Sequence, residues 1–244
     1  MVVTPYISSD SKKQQVETMF NRIAFRYDLL NSLLSFGIHT YWRSKSIKLL
    51  TSSFNSQLKD CTLLDVATGT GDFAIDALKL NPKKIIGIDI AAEMIEIGKR
   101  KIEKKQLSSI IELRQADSEK LPFENNFFDA ATVGFGVRNF ENLKKGLSEI
   151  YRTLKPNGVF VVLEFSLPQK FPIKQLYKFY MNVICPLVGK LISGDGAAYS
   201  YLFRSVEEFP YGENFKNSLM EVGFSQAVFY PQTFGITTIY IAKK

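Results

Sequence analysis

The chain has 244 residues, 45% hydrophobic and 23% charged, which excludes a disordered or collagen-like chain and suits one domain with a sizeable core. Lys and Arg outnumber Asp and Glu by 31 to 24, and the net charge of +7 permits contact with nucleic acid, anionic lipid or a phosphorylated substrate. The basic clusters Lys99-Arg100-Lys101 and Lys104-Lys105 lie among Glu96, Glu103 and apolar residues, as on a solvated helix face rather than a nucleic-acid stripe.

In chain order, residues 1–10 read as a frayed end without a signal-peptide pattern. Val16, Met19, Phe20, Ile23, Tyr27 and Leu30 recur at three- and four-residue steps, predicting one amphipathic helix capped by Asp10 or Ser11. Gly37 then interrupts, and a second helix is predicted from about Thr40 to Phe54. An alternation follows: strand 63–66, a helix from Asp72, strand 84–88, helix 91–105, strand 110–114, strand 130–133 and helix 141–154. The Lys155-Pro156-Asn157-Gly158 turn leads to strand 159–165. An aromatic-rich insertion breaks the pattern over 166–204, and a helix at 213–222 and strands 227–230 and 236–242 resume it. The last two strands are joined by a short connection and read as antiparallel.

Strands alternating with helices imply a Rossmann-like, mostly parallel α/β sheet of seven strands with helices on both faces. The two cysteines, Cys61 and Cys185, have neither metal-ligand spacing nor the number of a disulfide scaffold. The most apolar stretch, 179–189, contains Asn182 and Pro186 and falls short of the ~20 residues of a membrane span, so the chain reads as cytoplasmic. The 20 Phe and 11 Tyr fit either a filled core or a pocket for a large apolar substrate.

The sharpest motif is Asp65-Val66-Ala67-Thr68-Gly69-Thr70-Gly71-Asp72, at the carboxyl end of the first strand, where such sheets bind ligands. Gly69 and Gly71 allow a tight turn and close approach of the backbone. Position 74, where a dinucleotide fingerprint has its third glycine, is Ala74. Asp89 ends the second strand, where a carboxylate accepts from ribose hydroxyls, and Asp117 with Ser118 follows the third, where adenine would lie. Each acid alone is equally a helix N-cap; together, beside a glycine loop, they indicate nucleoside binding. The loop carries acids at both ends, which repel a pyrophosphate and attract a sulfonium and an α-amino group. It resembles the Asp/Glu-x-x-x-Gly-x-Gly motif of class I methyltransferases, which implies S-adenosylmethionine, with Asp65 ordering the loop. The predicted divisions of a single 1–244 methyltransferase domain are a helical lid over 1–55, a cofactor-binding core over 56–165, a substrate-side insertion over 166–204, and a C-terminal helix and hairpin over 205–244.

After the fourth strand stands Gly134-Phe135-Gly136-Val137-Arg138-Asn139-Phe140, not the Asn/Asp-Pro-Pro-Tyr/Phe of amino-methylating DNA enzymes. No cysteine lies nearby to add to a pyrimidine ring, so both features argue against a nucleic-acid substrate. The chain resembles the ubiquinone/menaquinone biosynthesis C-methyltransferase family along nearly its whole length. The more specific pieces are Arg26-Tyr27-Asp28 with Asn31, and Gly134-Phe135-Gly136 with Arg138-Asn139. Supporting pieces are Ser35-Phe36-Gly37-Ile38-His39, Tyr41-Trp42-Arg43, Ala116-Asp117-Ser118, Leu121-Pro122-Phe123, Leu154–Gly158, Glu164-Phe165-Ser166 and Tyr199-Ser200-Tyr201-Leu202. Ala74 departs from relatives with a threonine there, an expected loss of about 1 kcal/mol at most.

The resemblance implies C-methylation of demethylmenaquinol to menaquinol, the last step of menaquinone biosynthesis. Only the reduced ring is a nucleophile, and a dry pocket that aligns it with the sulfonium favours the step. Arg138 is the expected holder of the developing phenolate, since a cation at ~4–6 Å lowers an acid's pKa by about 1–3 units; its alternative is a structural salt bridge. Asn139 would orient the other oxygen, and Tyr27 and Asp28 on the lid would pass the proton. His39, the only histidine, has neighbours Ile38 and Trp42 that suggest a packed or capping role instead. Phe171, Leu176, Tyr177, Phe179, Tyr180, Met181 and Ile184 would line a channel for the isoprenoid tail, or face a membrane with Lys170, Lys174, Lys178 and Lys190 at its headgroups. The alternatives are an ordinary cap on the sheet or a homodimer interface. The rival functions are methylation of a benzoquinol, sterol or small phenol, a nicotinamide-dependent oxidoreductase, and a non-catalytic partner protein. The expected location is the cytoplasm, with transient contact at the inner face of the membrane.

Overall fold

Seven strands form one sheet in the order β3-β2-β1-β4-β5-β7-β6, in a computed structural model that describes residues 3–53, 60–193 and 195–244. The strands are β1 (Thr62–Val66), β2 (Lys84–Asp89), β3 (Ile111–Gln115), β4 (Phe128–Gly134), β5 (Leu154–Phe165), β6 (Gln226–Gln232) and β7 (Thr237–Lys243). The first five run parallel, and β7 lies antiparallel between β5 and β6. The order reverses between β1 and β4, which opens a crevice at the carboxyl ends of the strands.

The strands alternate strictly between two buried faces. Leu64, Val66, Ile86, Ile88, Ala131, Val133, Phe160 and Val162 pack against α6 (Leu143–Thr153) and α10 (Glu213–Val222) through Leu147, Ile150, Phe215 and Leu219. Their neighbours Leu63, Ile85, Ala130, Val159, Val161 and Leu163 pack against α3 (Ile38–Ser53), α4 (Asp72–Ala77) and α5 (Ala92–Lys104). Both faces are covered, so the strands read as continuous apolar runs, and each buried Leu, Ile or Val stabilises by roughly 1.5–3 kcal/mol. The Pro156-Asn157-Gly158 turn lies inside the span of β5 as an irregularity in its pairing with β4, with Asn157 at φ 64.

The N-terminal reading needs correction. The predicted single helix is α1 (Lys12–Ile23) and α2 (Tyr27–Leu34), separated by a 3₁₀ turn at Ala24–Arg26. Ser11 caps α1 in a capping box with Gln14. A 3₁₀ turn has 3.0 residues per turn against 3.6, so it interrupts the helix, yet Val16, Met19, Ile23 and Leu30 still share one apolar cluster, with Phe20 and Tyr27 packed against it. The end of the second predicted helix at Phe54 and the expected boundary at 55/56 lie outside the described residues.

The insertion is helical: α7 (Ile173–Phe179), a π-helical turn at Tyr180–Ile184, α8 (Cys185–Ser193) and α9 (Gly196–Glu208). Pro186 has no amide proton to give the preceding turn, which fits the local widening there. Helix α9 runs unbroken past position 204, where the insertion was expected to end. Among the described residues no helix is long and apolar enough to cross a membrane.

Candidate active site

The glycine loop is held from both sides. Ala67 (φ 51), Gly69 (φ 56) and Gly71 (φ 84) all take left-handed conformations. Asp65 is 1% exposed and accepts hydrogen bonds from Thr68 Oγ1 and, at 2.6 Å, from Thr132 Oγ1. Burial pushes its pKa up to about 6 against the pull of these hydroxyls. Asp89 accepts from the amides of Gly69 at 2.8 Å and Ala91 at 2.9 Å, and burial likewise raises its pKa. Thr70 Oγ1 donates to Asp28 at 2.6 Å, and Lys101 Nζ donates to Asp28, Thr70 and Asp72. The loop is therefore fixed by β1, β2, β4, α2 and α5 together.

Two cavities meet at this loop. The larger, about 410 Å³, is mostly apolar and is bounded by α2, α3, the insertion and the ends of β4 and β5. Trp42, Phe135 and Phe165 cluster in its wall, with Phe135 and Phe165 centroids 4.4 Å apart. The smaller is lined by Asp89, Asp117, Ser118 and Asn139. Phe20, Tyr27, Ala67, Gly69, Gly134 and Phe135 border both, so one thin wall separates two chambers.

The expected site residues divide between them. Asp65, Thr68, Gly69 and Thr70 line the larger cavity, and Gly69, Asp89, Asp117 and Ser118 the smaller. Gly71 borders neither; a Cβ there would meet Leu113 and Ile102 at 3.5 and 3.6 Å, and its place is the turn into α4. Ala74 is fully buried in the core behind the loop. Tyr27 stands over Gly69, and burial raises its pKa, so the phenol stays protonated. Asp28 lines neither cavity: its carboxylate is held by Lys101 and Thr70, which replaces the expected proton relay with a clamp from lid to loop.

Arg138 lines the larger cavity, and its Nη1 donates to Glu164 at 2.7 Å and to the Phe135 carbonyl. The salt-bridge alternative is thus real, yet among the described residues Nε of Arg138 is buried without a partner, as is the hydroxyl of Tyr177, a residue that lines the same cavity. Glu164 is wholly buried; burial raises its pKa while Arg138 pulls it down. Asn139 borders the smaller cavity, and its Oδ1 accepts from the Tyr201 hydroxyl at 3.1 Å. His39 is in the wall of the larger cavity, bonded through Nδ1 to Ser35 Oγ at 2.6 Å.

Two contributors, Lys13 and Lys12, escape the sequence, and a third, Glu164, stands in it without its role. Lys13 pairs with Asp117 at 2.7 Å, at the acid expected beside adenine. Lys12 donates to the carbonyls of Arg138 and Phe140, and Glu164 anchors Arg138. The only sequence signal was Glu164 itself, a charge in an apolar strand that needs a partner once buried.

The sheet order, the acid-flanked glycine loop and the paired chambers define a class I S-adenosylmethionine-dependent methyltransferase. Solved structures agree on the fold. A Thermotoga maritima S-adenosylmethionine-dependent methyltransferase, a possible histamine N-methyltransferase, superposes with a TM-score of 0.62 at 17% identity, covering 93% of this chain and 99% of that one. Haemonchus contortus phosphoethanolamine N-methyltransferase 2, with S-adenosylhomocysteine bound, gives 0.61 at 14% identity over 82% of this chain and 52% of its own. The chain belongs to the ubiE/COQ5 methyltransferase family, which it matches over residues 8–244. It is 48% identical to the demethylmenaquinone methyltransferase of Bacteroides fragilis over 99% of this chain and 97% of that protein. The ubiquinone/menaquinone biosynthesis C-methyltransferase UbiE of Geotalea daltonii is 41% identical over 96% and 97%.

Proposed function

We propose that the protein transfers a methyl group from S-adenosylmethionine to a ring carbon of demethylmenaquinol, yielding menaquinol. The observation that carries the reading is the thin wall shared by an acid-lined chamber and an aromatic one. The acid-lined chamber, about 70 Å³ with Lys13 across Asp117, presents the polar partners a nucleoside needs and opens further to admit it. Each Asp89 oxygen accepts one amide and keeps a lone pair for a ribose hydroxyl. Asp117 holds Lys13 on one oxygen and the Glu119 amide on the other, and each oxygen keeps a lone pair for the adenine amino group. Bound there, S-adenosylmethionine supplies an electrophilic methyl group. Trp42, Phe135 and Phe165 give the larger chamber an apolar wall, a surrounding that favours joining an anion to a cation. Arg138 and Tyr177 line this cavity, and Arg138 Nε and the Tyr177 hydroxyl are buried donors without acceptors among the described residues; a shift of these side chains on binding would turn them to a quinol oxygen. Asn139 borders the nucleoside chamber alone, its Oδ1 held by Tyr201, so it is placed beside the cofactor rather than on the quinol's other oxygen.

The isoprenoid tail leaves by a greasy mouth. Phe36, Ile38 and Leu176 line the cavity and are also 78, 39 and 61% exposed. Exposed Phe179, Val183 and Leu187 extend this surface along the insertion, which supports contact with a membrane surface that holds the quinol. Lys178 pairs with Glu207 at 3.7 Å, and the side chain of Lys190 lies outside the described residues.

Labelled methyl transfer to a reduced demethylated naphthoquinol, beside the matching benzoquinol, tests the acceptor. Label in the naphthoquinol alone is expected; equal label in both would make the enzyme dual-purpose, and benzoquinol alone would overturn the assignment.

A further inference from the structure

The methylated carbon becomes nucleophilic only when the adjacent hydroxyl loses its proton, and the donors above cannot take it. Arg138 is a guanidinium and Tyr177 a phenol that burial keeps protonated. Among the described residues lining the cavity, Asp65 has both oxygens held by threonine hydroxyls, and Asp72 is paired with Lys101 and Arg43. Burial pushes the Cys185 thiol up to about 11. His39 remains.

Its environment prepares it for the task. Ser35 Oγ donates its single proton to the Asn31 carbonyl at 2.6 Å, so it can only accept from His39 Nδ1. That bond fixes the tautomer with hydrogen on Nδ1 and a lone pair on Nε2, which makes no hydrogen bond among the described residues. Burial and the neighbouring Arg43 lower the imidazole pKa from 6.5, against the opposite pull of Asp72, Asp76 and Asp28, so the ring is neutral at pH 7.

We infer that His39 is the general base of the reaction, with Ser35 as the residue that positions it. This rests on the acceptor reading above. The hydroxyl O–H bond breaks and its proton moves to Nε2 as the electron pair enters the ring. The ring carbon forms its bond to the methyl group as the carbon–sulfur bond breaks, leaving a neutral thioether. The ring C–H proton is then released to solvent, aromaticity returns, and Nε2 gives its proton back to the oxygen.

The experiment measures turnover of His39→Gln and His39→Ala against pH, with S-adenosylhomocysteine binding as the check on folding. At pH 7, His39→Gln is expected to lose about 100-fold in kcat or more. S-adenosylhomocysteine affinity should stay near the wild-type value. The deficit should narrow toward the quinol's own range near pH ~10, and imidazole should restore part of the His39→Ala rate. In the wild type, kcat should fall on acidification below 6.5, as Nε2 protonates. His39→Gln turnover close to wild type at pH 7, or a deficit constant with pH and deaf to imidazole, overturns the role. A wild-type protein that binds S-adenosylhomocysteine but labels no quinol overturns the acceptor reading instead, and is told apart because a failure of His39 alone leaves the wild type active.

Discussion

Arg138 holds a carboxylate that has no exposure to solvent, so removing it has two consequences. Arg138→Ala leaves Glu164 buried and unpaired, an expected loss of about 3–5 kcal/mol. Adding Glu164→Gln removes the stranded charge and should return most of that stability, while turnover stays down by about 100-fold or more. Denaturant unfolding and methyl-transfer rates on both variants check this; a double variant with both restored would assign Arg138 to packing alone. Asp65 makes a separate prediction. Its pKa rises from 3.8 to about 6 on folding, so the native state binds the proton more tightly. Its stabilising contribution is full below 3.8 and is lost as pH rises through 6. Unfolding free energies should show wild type losing stability relative to Asp65→Asn across that window; parallel curves would contradict the assignment. Asp65, Asp89 and Asp117 were legible in the sequence because strand ends and a glycine loop mark them. The partners Glu164 and Lys13 were not, because their pairings arise from strand order and from where α1 lies across the sheet.

The elements followed their local patterns where one face decides. Helix α6 and the parallel strands matched the apolar spacing closely, since every buried position answers to the same sheet. In the lid the spacing marked the right apolar residues, which share one cluster, but not the Ala24–Arg26 3₁₀ turn that divides α1 from α2, because a short turn leaves the three- and four-residue recurrence nearly unchanged. The insertion hid its helices for a related reason: with exposed Leu176, Phe179 and Leu187 among buried Tyr177 and Met181, no apolar stripe stands out. Helix α5 shows how closely an element must approach the site. A Cβ on Gly98 would lie 2.5 Å from Leu113 Cδ1 and 3.1 Å from the backbone carbon of Thr70. Gly98→Ala should push α5 off the glycine loop and cost about 1–3 kcal/mol, read as a lower Tm with weaker S-adenosylhomocysteine binding. An unchanged Tm would show that Leu113 can yield.

At the scale of the whole molecule, a doubly covered sheet places its crevice beneath a helical lid and an insertion that is apolar outside as well as inside. Phe179 and Leu187 are 59 and 57% exposed and lie off the cavity wall. Phe179→Ser with Leu187→Ser should reduce cosedimentation with lipid vesicles and methylation of a long-tailed quinol embedded in them. Turnover of a short-tailed, water-soluble quinol should be unaffected; equal loss on both acceptors would place these side chains in folding rather than docking. The proposed reaction brings a nucleophilic quinol ring to a methyl sulfonium across the wall of Tyr27, Gly69 and Phe135. Methyl transfer from labelled S-adenosylmethionine to demethylmenaquinol, beside its oxidised quinone, tests it most directly. Label is expected in the reduced ring and not in the quinone. Label in neither, with S-adenosylhomocysteine still bound, or equal label in both, would contradict it.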